Sequence, residues 1–267
     1  MSSHPLARKM TAALVAIAGL AGCTTVVDAP HPPALDGTHW RLAALPGWAM
    51  DRAVPVTLHV DGARAFGSDG CNRYIASITV GQADLRFAGR PAGTLMACPD
   101  EVQRRADAYR RALSDVRRYR VRDAGPDRRL ELLDAEGRVL AAFAAQSQSL
   151  AGMQWDVTAV NDGRGAVVSL VPGTRVTLSF DDQGRVSGST GCNRFSARYE
   201  QSPAGVQIAS PASTRMACPR PGVMAQEQAV LRALSAVRSA RIEGNAIELR
   251  GADGALQLTA QVAAAGG

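Results

Sequence analysis

Gly67-Ser-Asp-Gly-Cys-Asn-Arg-Tyr74 and Thr94-Leu-Met-Ala-Cys-Pro99 return almost letter for letter as Gly188-Ser-Thr-Gly-Cys-Asn-Arg-Phe195 and Thr214-Arg-Met-Ala-Cys-Pro219. The copies are displaced by 121 and 120 residues, and their cysteines lie 27 apart in the first and 26 apart in the second. So regular a shift marks one domain written twice. A chain of 267 residues accommodates two such domains of about 110 residues each, a size at which one small core is viable.

Working outward from these motifs, Leu35-Asp-Gly-Thr-His-Trp40 and Leu150-Ala-Gly-Met-Gln-Trp155 each lead into alternating apolar and polar residues, the mark of an opening strand. Trp40 and Trp155 read as core anchors with satisfied N–H groups, a ligand-stacking role being the alternative. Val56-Thr-Leu-His-Val60 and Val176-Thr-Leu-Ser-Phe180 alternate with period two, and a turn-rich link joins each to a short strand ending in the Gly-Cys-Asn-Arg motif. Glycines 67, 70, 188 and 191 call for a sharp turn or a close approach, and Asn72 and Asn193 suit hydrogen bonds to their own backbone there. Helical spacing covers residues 101–114 and 223–235, just after Pro99 and Pro219. Further strands fall at 85–87, 119–121, 130–133 and 139–143, with counterparts in the second copy. About seven short strands and one helix per copy, without alternation of strand and helix, predict an α+β chain. Each domain is then a curled antiparallel sheet or open barrel closed by its helix.

The beginning of the chain carries a different message. Arg8-Lys9 and the apolar run 10–20 have the layout of a secretory signal, too short to remain as a membrane span. Leu20-Ala-Gly-Cys23 then matches a bacterial lipobox, which makes 1–22 the signal peptide and Cys23 the acylated first residue. Thr24, in place of an aspartate, fits a lipoprotein sent to the outer membrane and facing the periplasm. Pro30, Pro32 and Pro33 make residues 23–34 an extended tether. The domains follow at 35–146 and 150–263, joined through the polar segment 144–149, which suits either docking or independent motion.

The Gly-Cys-Asn-Arg-aromatic run followed by Thr-x-Met-x-Cys resembles the META domain family, over both copies. That resemblance implies the same curled sheet with one helix. It also implies a role in envelope integrity or stress tolerance, since the family includes a bacterial heat-shock lipoprotein. Its expected Glu in the helix after the second cysteine is Glu227 in the second copy, whereas Ala106 stands at the matching place in the first.

Apart from Cys23, four cysteines remain, two per copy, in an exported chain, so the expected bridges are Cys71–Cys98 and Cys192–Cys218. No cysteine pair has zinc-knuckle spacing, the second copy has no histidine, and no Cys-x-x-Cys is present, so neither a metal, a cofactor nor thiol catalysis is expected. The polar residues shared around the motifs, Ser68, Asn72, Arg73 and Thr94 with Ser189, Asn193, Arg194 and Thr214, include no carboxylate or histidine. Asn72, Arg73 and Thr94 with their counterparts read as a structural network or, through the two arginines, as a recognition surface. A Ser-His-Asp system would fit at most one copy, which leaves a hydrolase or thiol enzyme behind a non-enzyme.

The net charge of +6 falls to +4 without residues 1–22, too weak a bias for nucleic acid. Arg104-Arg105, Arg110-Arg111 and Arg117-Arg118 recur at helical spacing and read as a solvated face, with anionic-lipid contact as the alternative. The expected partners are the membrane, through N-terminal acyl chains, and an envelope protein or lipid. In the alternative reading the chain is a carrier or pilot-like module for lipid or an apolar segment. Met96, Met216 and Met224 then line a groove between sheet and helix, or else fill core.

Overall fold

The computed structural model describes residues 35–51, 53–123 and 127–263. The signal peptide, Cys23, His31 and the tether lie outside the described residues. The first domain contains β1 (Thr38–Ala44), β2 (Thr57–Asp61), β3 (Arg64–Ser68), β4 (Arg73–Val80), β5 (Leu85–Phe87), β6 (Ala92–Gly93), α1 (Asp100–Asp115), β7 (Arg118–Arg122), β8 (Arg129–Leu133) and β9 (Val139–Ala145). The second repeats the plan with β10 (Gln154–Asn161), β11 (Val167–Ser169), β12 (Val176–Phe180), β13 (Arg185–Thr190), β14 (Arg194–Ser202), β15 (Gly205–Ile208), β16 (Ala212–Ser213), α2 (Val223–Ala236), β17 (Ser239–Glu243), β18 (Ala246–Arg250) and β19 (Leu256–Val262).

All pairings are antiparallel, in the orders β5-β4-β3-β2-β1-β9-β8-β7 and β15-β14-β13-β12-β10-β19-β18-β17. Short β6, β11 and β16 pair off these paths, which brings the sheets to nine and ten strands in place of about seven. Each sheet nearly closes. The Leu85 amide donates to the Arg117 carbonyl at 3.1 Å in the first domain, and the Val206 amide to the Arg238 carbonyl at 2.9 Å in the second. A curled sheet of this kind buries one face of its main strands and leaves little unpaired edge.

The alternation seen in sequence becomes the inside and outside of each barrel. Tyr74, Ala76 and Ile78 of β4 are buried while Ile75 is exposed. Trp40 and Trp155 are both buried in the cores. The Trp40 N–H donates to the Thr38 hydroxyl at 2.7 Å, but in the second copy Met153 replaces that threonine and the Trp155 N–H has no partner. A satisfied indole is therefore found in the first copy alone. A Cβ on Gly67 or Gly188 would run into the carbonyl of Thr57 or Thr177 on the neighbouring strand, so close passage of the two strands demands glycine at both places.

The two domains are docked through their linker and the β17–β18 hairpin. Gln146 clamps Gly244, its Nε2 donating to the carbonyl at 2.8 Å and its Oε1 accepting from the amide at 3.0 Å. Gln148 treats Ile242 the same way, at 2.9 and 2.8 Å. These side-chain amides act as a substitute strand, taking up backbone groups at the end of β17 and in its turn that the near-closed sheet leaves over. Beside them His39 and His59 stack at 3.8 Å, and Arg241 of the second domain lies over the Phe66 ring. Burial, then the His59 and Arg241 charges, hold His39 down to about 4, so it stays neutral at pH 7.

Candidate functional site

The two motif segments of each domain meet at a bend stitched by an asparagine. Gly70 and Gly191 take φ values of 94° and 101°, turning the chain so that each motif cysteine reaches its partner. Cys71 is bonded to Cys98 and Cys192 to Cys218, with Cα separations of 5.9 and 6.3 Å. Asn72 Oδ1 accepts from the Thr94 hydroxyl at 2.9 Å and the Met96 amide at 2.7 Å. Asn193 Oδ1 accepts from the Thr214 hydroxyl at 2.6 Å and the Met216 amide at 2.8 Å. Each threonine hydroxyl also accepts the amide of the arginine that follows the asparagine. The asparagine oxygens thus reach across to the second motif segment and not to the backbone of their own bend, where the amides have another acceptor.

In the first domain that acceptor is Asp69, whose Oδ1 takes the Cys71 amide at 2.9 Å and the Asn72 amide at 2.6 Å. Its other oxygen lies 3.1 Å from Arg110 Nη1, an ion pair without hydrogen-bond alignment. In the second domain Thr190 holds the same position, its hydroxyl accepting the Asn193 amide at 3.2 Å. There the buried carboxylate comes instead from α2: Glu227 Oε2 accepts Asn193 Nδ2 at 2.7 Å and the Thr190 hydroxyl at 3.2 Å. Both domains therefore bury one carboxylate beside the motif, Asp69 from the bend or Glu227 from the helix. The site lacking Glu in the first domain is filled from another segment.

The helix residue before Ala106 or Glu227 changes with it. Gln226 accepts the Val171 amide at 2.6 Å and donates to the Thr174 hydroxyl and the Thr190 carbonyl, both at 3.1 Å. Arg105 stands in its place in the first domain, 4% exposed, with Nε and Nη2 unpartnered. Arg105 and Arg110 thus correct the reading of the α1 arginines as a solvated face: two of them turn toward the motif. Asp69 and Gln226 are the site residues that comparing the copies for shared side chains passes over, whereas Glu227 is the glutamate that the family resemblance points to.

The arginines of the motif contribute only backbone groups to this network, the amide to the threonine hydroxyl and the carbonyl to the threonine amide. The Arg73 side chain leaves the first domain for Glu243, at 3.2 Å, and Glu248, at 3.7 Å. Arg194 projects into solvent. The methionines neither fill core nor line the groove between sheet and helix: Met96 and Met216 are 57% and 56% exposed at the tips of their loops, and Met224 is exposed on α2. Met96 instead borders a cleft between the domains, with Pro55, Arg73 and Glu243.

A groove of about 530 Å³ does lie between α2 and the β10–β11 hairpin. Val160, Val168, Val171, Ala225 and Ala229 supply its apolar lining, and Arg164 and Arg232 stand at it too. The Asp162 carboxylate lies 3.6 Å from Arg164, while the Arg232 guanidinium donates to the Asp162 carbonyl at 3.4 Å.

The META domain profile matches residues 33–147 and again 148–263. Among solved structures, one determined by NMR for a protein from Burkholderia xenovorans is 25% identical, covering 43% of this chain and 85% of that one, with a TM-score of 0.38. A second NMR structure is 21% identical, covering 42% and 89%, with a TM-score of 0.33. No curated protein matches the chain.

Proposed function

The chain belongs to the META domain family, and we propose that within it this protein is a non-enzymatic, lipid-anchored binding protein of the bacterial envelope, supporting envelope integrity under stress. The observation that carries binding is the second-domain groove, whose apolar lining and flanking arginines suit an acyl chain with an anionic end. The non-enzymatic part is supported by the motif residues: Asn72, Asn193, Thr94 and Thr214 spend their polar atoms on backbone, on one another, on Cys71 and on Glu227. The lipobox at Leu20-Ala-Gly-Cys23 supports the anchor, at the outer membrane facing the periplasm.

The test of binding is native mass spectrometry of the acyl-free mature chain, residues 24–267, exported behind an ordinary signal peptide. A bound lipid is expected, and it should disappear on Ala225→Trp, which fills the groove from an exposed position. A chain that arrives empty and takes up no fatty acid would remove the reading, and reproducible turnover would overturn its non-enzymatic part. For the anchor, Cys23→Ala is expected to release the protein from the membrane fraction. Unchanged fractionation with no acyl mass would refute it.

A further inference from the structure

The docking of the two domains is a worked example of what a META domain's motif face can hold. In the first domain Thr57 and Arg73 form a socket for one carboxylate. Glu243 Oε1 accepts the Thr57 hydroxyl at 3.0 Å, and its Oε2 accepts Arg73 Nη2 at 3.2 Å. The carboxylate rides on the β17–β18 hairpin, where Arg241 steadies it at 2.9 Å and Glu248 offers Arg73 a second oxygen at 3.7 Å. At the hairpin's turn Gly244 presses on Pro55 so closely that a Cβ would collide with the proline ring.

The second domain carries the same socket uncovered. Thr177 matches Thr57: each hydroxyl accepts the amide of the motif serine, Ser189 at 3.1 Å and Ser68 at 2.9 Å. Arg194 matches Arg73. Among the described residues, the Thr177 hydroxyl proton and the Arg194 guanidinium have no partner, whereas their counterparts share Glu243. Burial follows occupancy, since Thr57 is buried and Thr177 only half-buried. Where the first socket has Pro55, the second has Arg175, paired with Asp156 at 2.7 Å.

We infer that Thr177 and Arg194 form a docking site for an acidic β-hairpin of another protein, held as the first domain holds Glu243 and Glu248. The chain's other copy of the hairpin does not fit. Strand register places Arg120 opposite Glu131 as Arg241 is opposite Glu248, and this puts Arg122 where Glu243 stands. Arg122 would meet Arg194 with like charge, and Asp123 replaces the turn glycine. The hairpin that does fit is already seated in its own chain. The occupant is therefore a foreign hairpin with a carboxylate before a glycine turn and a second carboxylate on the returning strand.

The probe is a cyclised peptide copying residues 239–250, titrated into the isotope-labelled acyl-free chain. Saturable shifts are expected at the Ser189 and Arg194 amides, with binding weakened about tenfold by Arg194→Ala and lost when both peptide glutamates become glutamine. Arg194 is exposed, so the variant should keep its thermal midpoint, and Thr177→Val should weaken binding in the same direction. Three results overturn the proposal: no binding, binding indifferent to Arg194→Ala, or shifts confined to Ser68 and Arg73, which would mean exchange with the chain's own hairpin.

Discussion

Replacing Cys71 and Cys98 together by serine is expected to lower the stability of the first domain by about 3 kcal/mol, and the Cys192–Cys218 pair should behave alike. The bridges close loops of 27 and 26 residues, and the expectation rests on the freedom that such loops regain in the unfolded chain. For a domain whose core is small, this is a large share of the total. The folded side adds to it. Each bridge fastens the segment whose methionine amide the asparagine holds, so its loss frees Thr94–Cys98 or Thr214–Cys218 to swing and weakens the Asn72 or Asn193 contacts. Urea unfolding followed by tryptophan fluorescence reads the change, and intact mass before and after reduction and alkylation reports the bridges themselves. An unchanged unfolding midpoint, or four free thiols in protein exported behind a signal peptide, would defeat the expectation.

The repeat and the curled antiparallel sheet were legible because they depend on local alternation, carried by Trp40, Val56–Val60 and their counterparts, and on an offset that any pairing must respect. The docked domains were not. Gln146 and Gln148 read in sequence as polar linker, and only the edge of β17 gives their amides something to match. The role of Glu243 comes from Thr57 and Arg73, which lie far away in the chain. The methionines misled because size and apolarity argue for burial, while the Asn and disulfide clamps hold their loops outward. The buried carboxylate was hidden for a different reason. Comparing the copies position by position shows Asp69 against Thr190 and Ala106 against Glu227 as two unrelated losses. They are one exchange, visible only once the bend and the helix are placed side by side.

That exchange can be run backwards. Asp69→Ala is expected to cost the first domain about 3 kcal/mol, because it strips the acceptor from the buried amides of Cys71 and Asn72 and leaves Arg110 with Asp107 as its remaining counter-charge. Asp69→Thr should cost less, since a threonine hydroxyl at this bend accepts the asparagine amide, as Thr190 does. Ala106→Glu alone should be severely destabilising: it places a second carboxylate beside Asp69 in a helix face that is fully buried. Combined, Asp69→Thr and Ala106→Glu rebuild the second domain's arrangement, with the introduced glutamate positioned to accept Asn72 Nδ2 as Glu227 accepts Asn193 Nδ2. The double variant should then be more stable than the sum of the two single losses by about 2 kcal/mol, a coupling within the range for residues sharing one network. Adding Arg105→Gln should recover more, because it replaces a guanidinium with unpartnered nitrogens by the side chain that the second domain uses there. Urea unfolding of the wild type, the Asp69→Thr and Ala106→Glu single variants and the double variant in one cycle measures the coupling. Strict additivity would mean that Asp69 and Glu227 are separate features, and the reading of one buried anion supplied from alternative segments would fall.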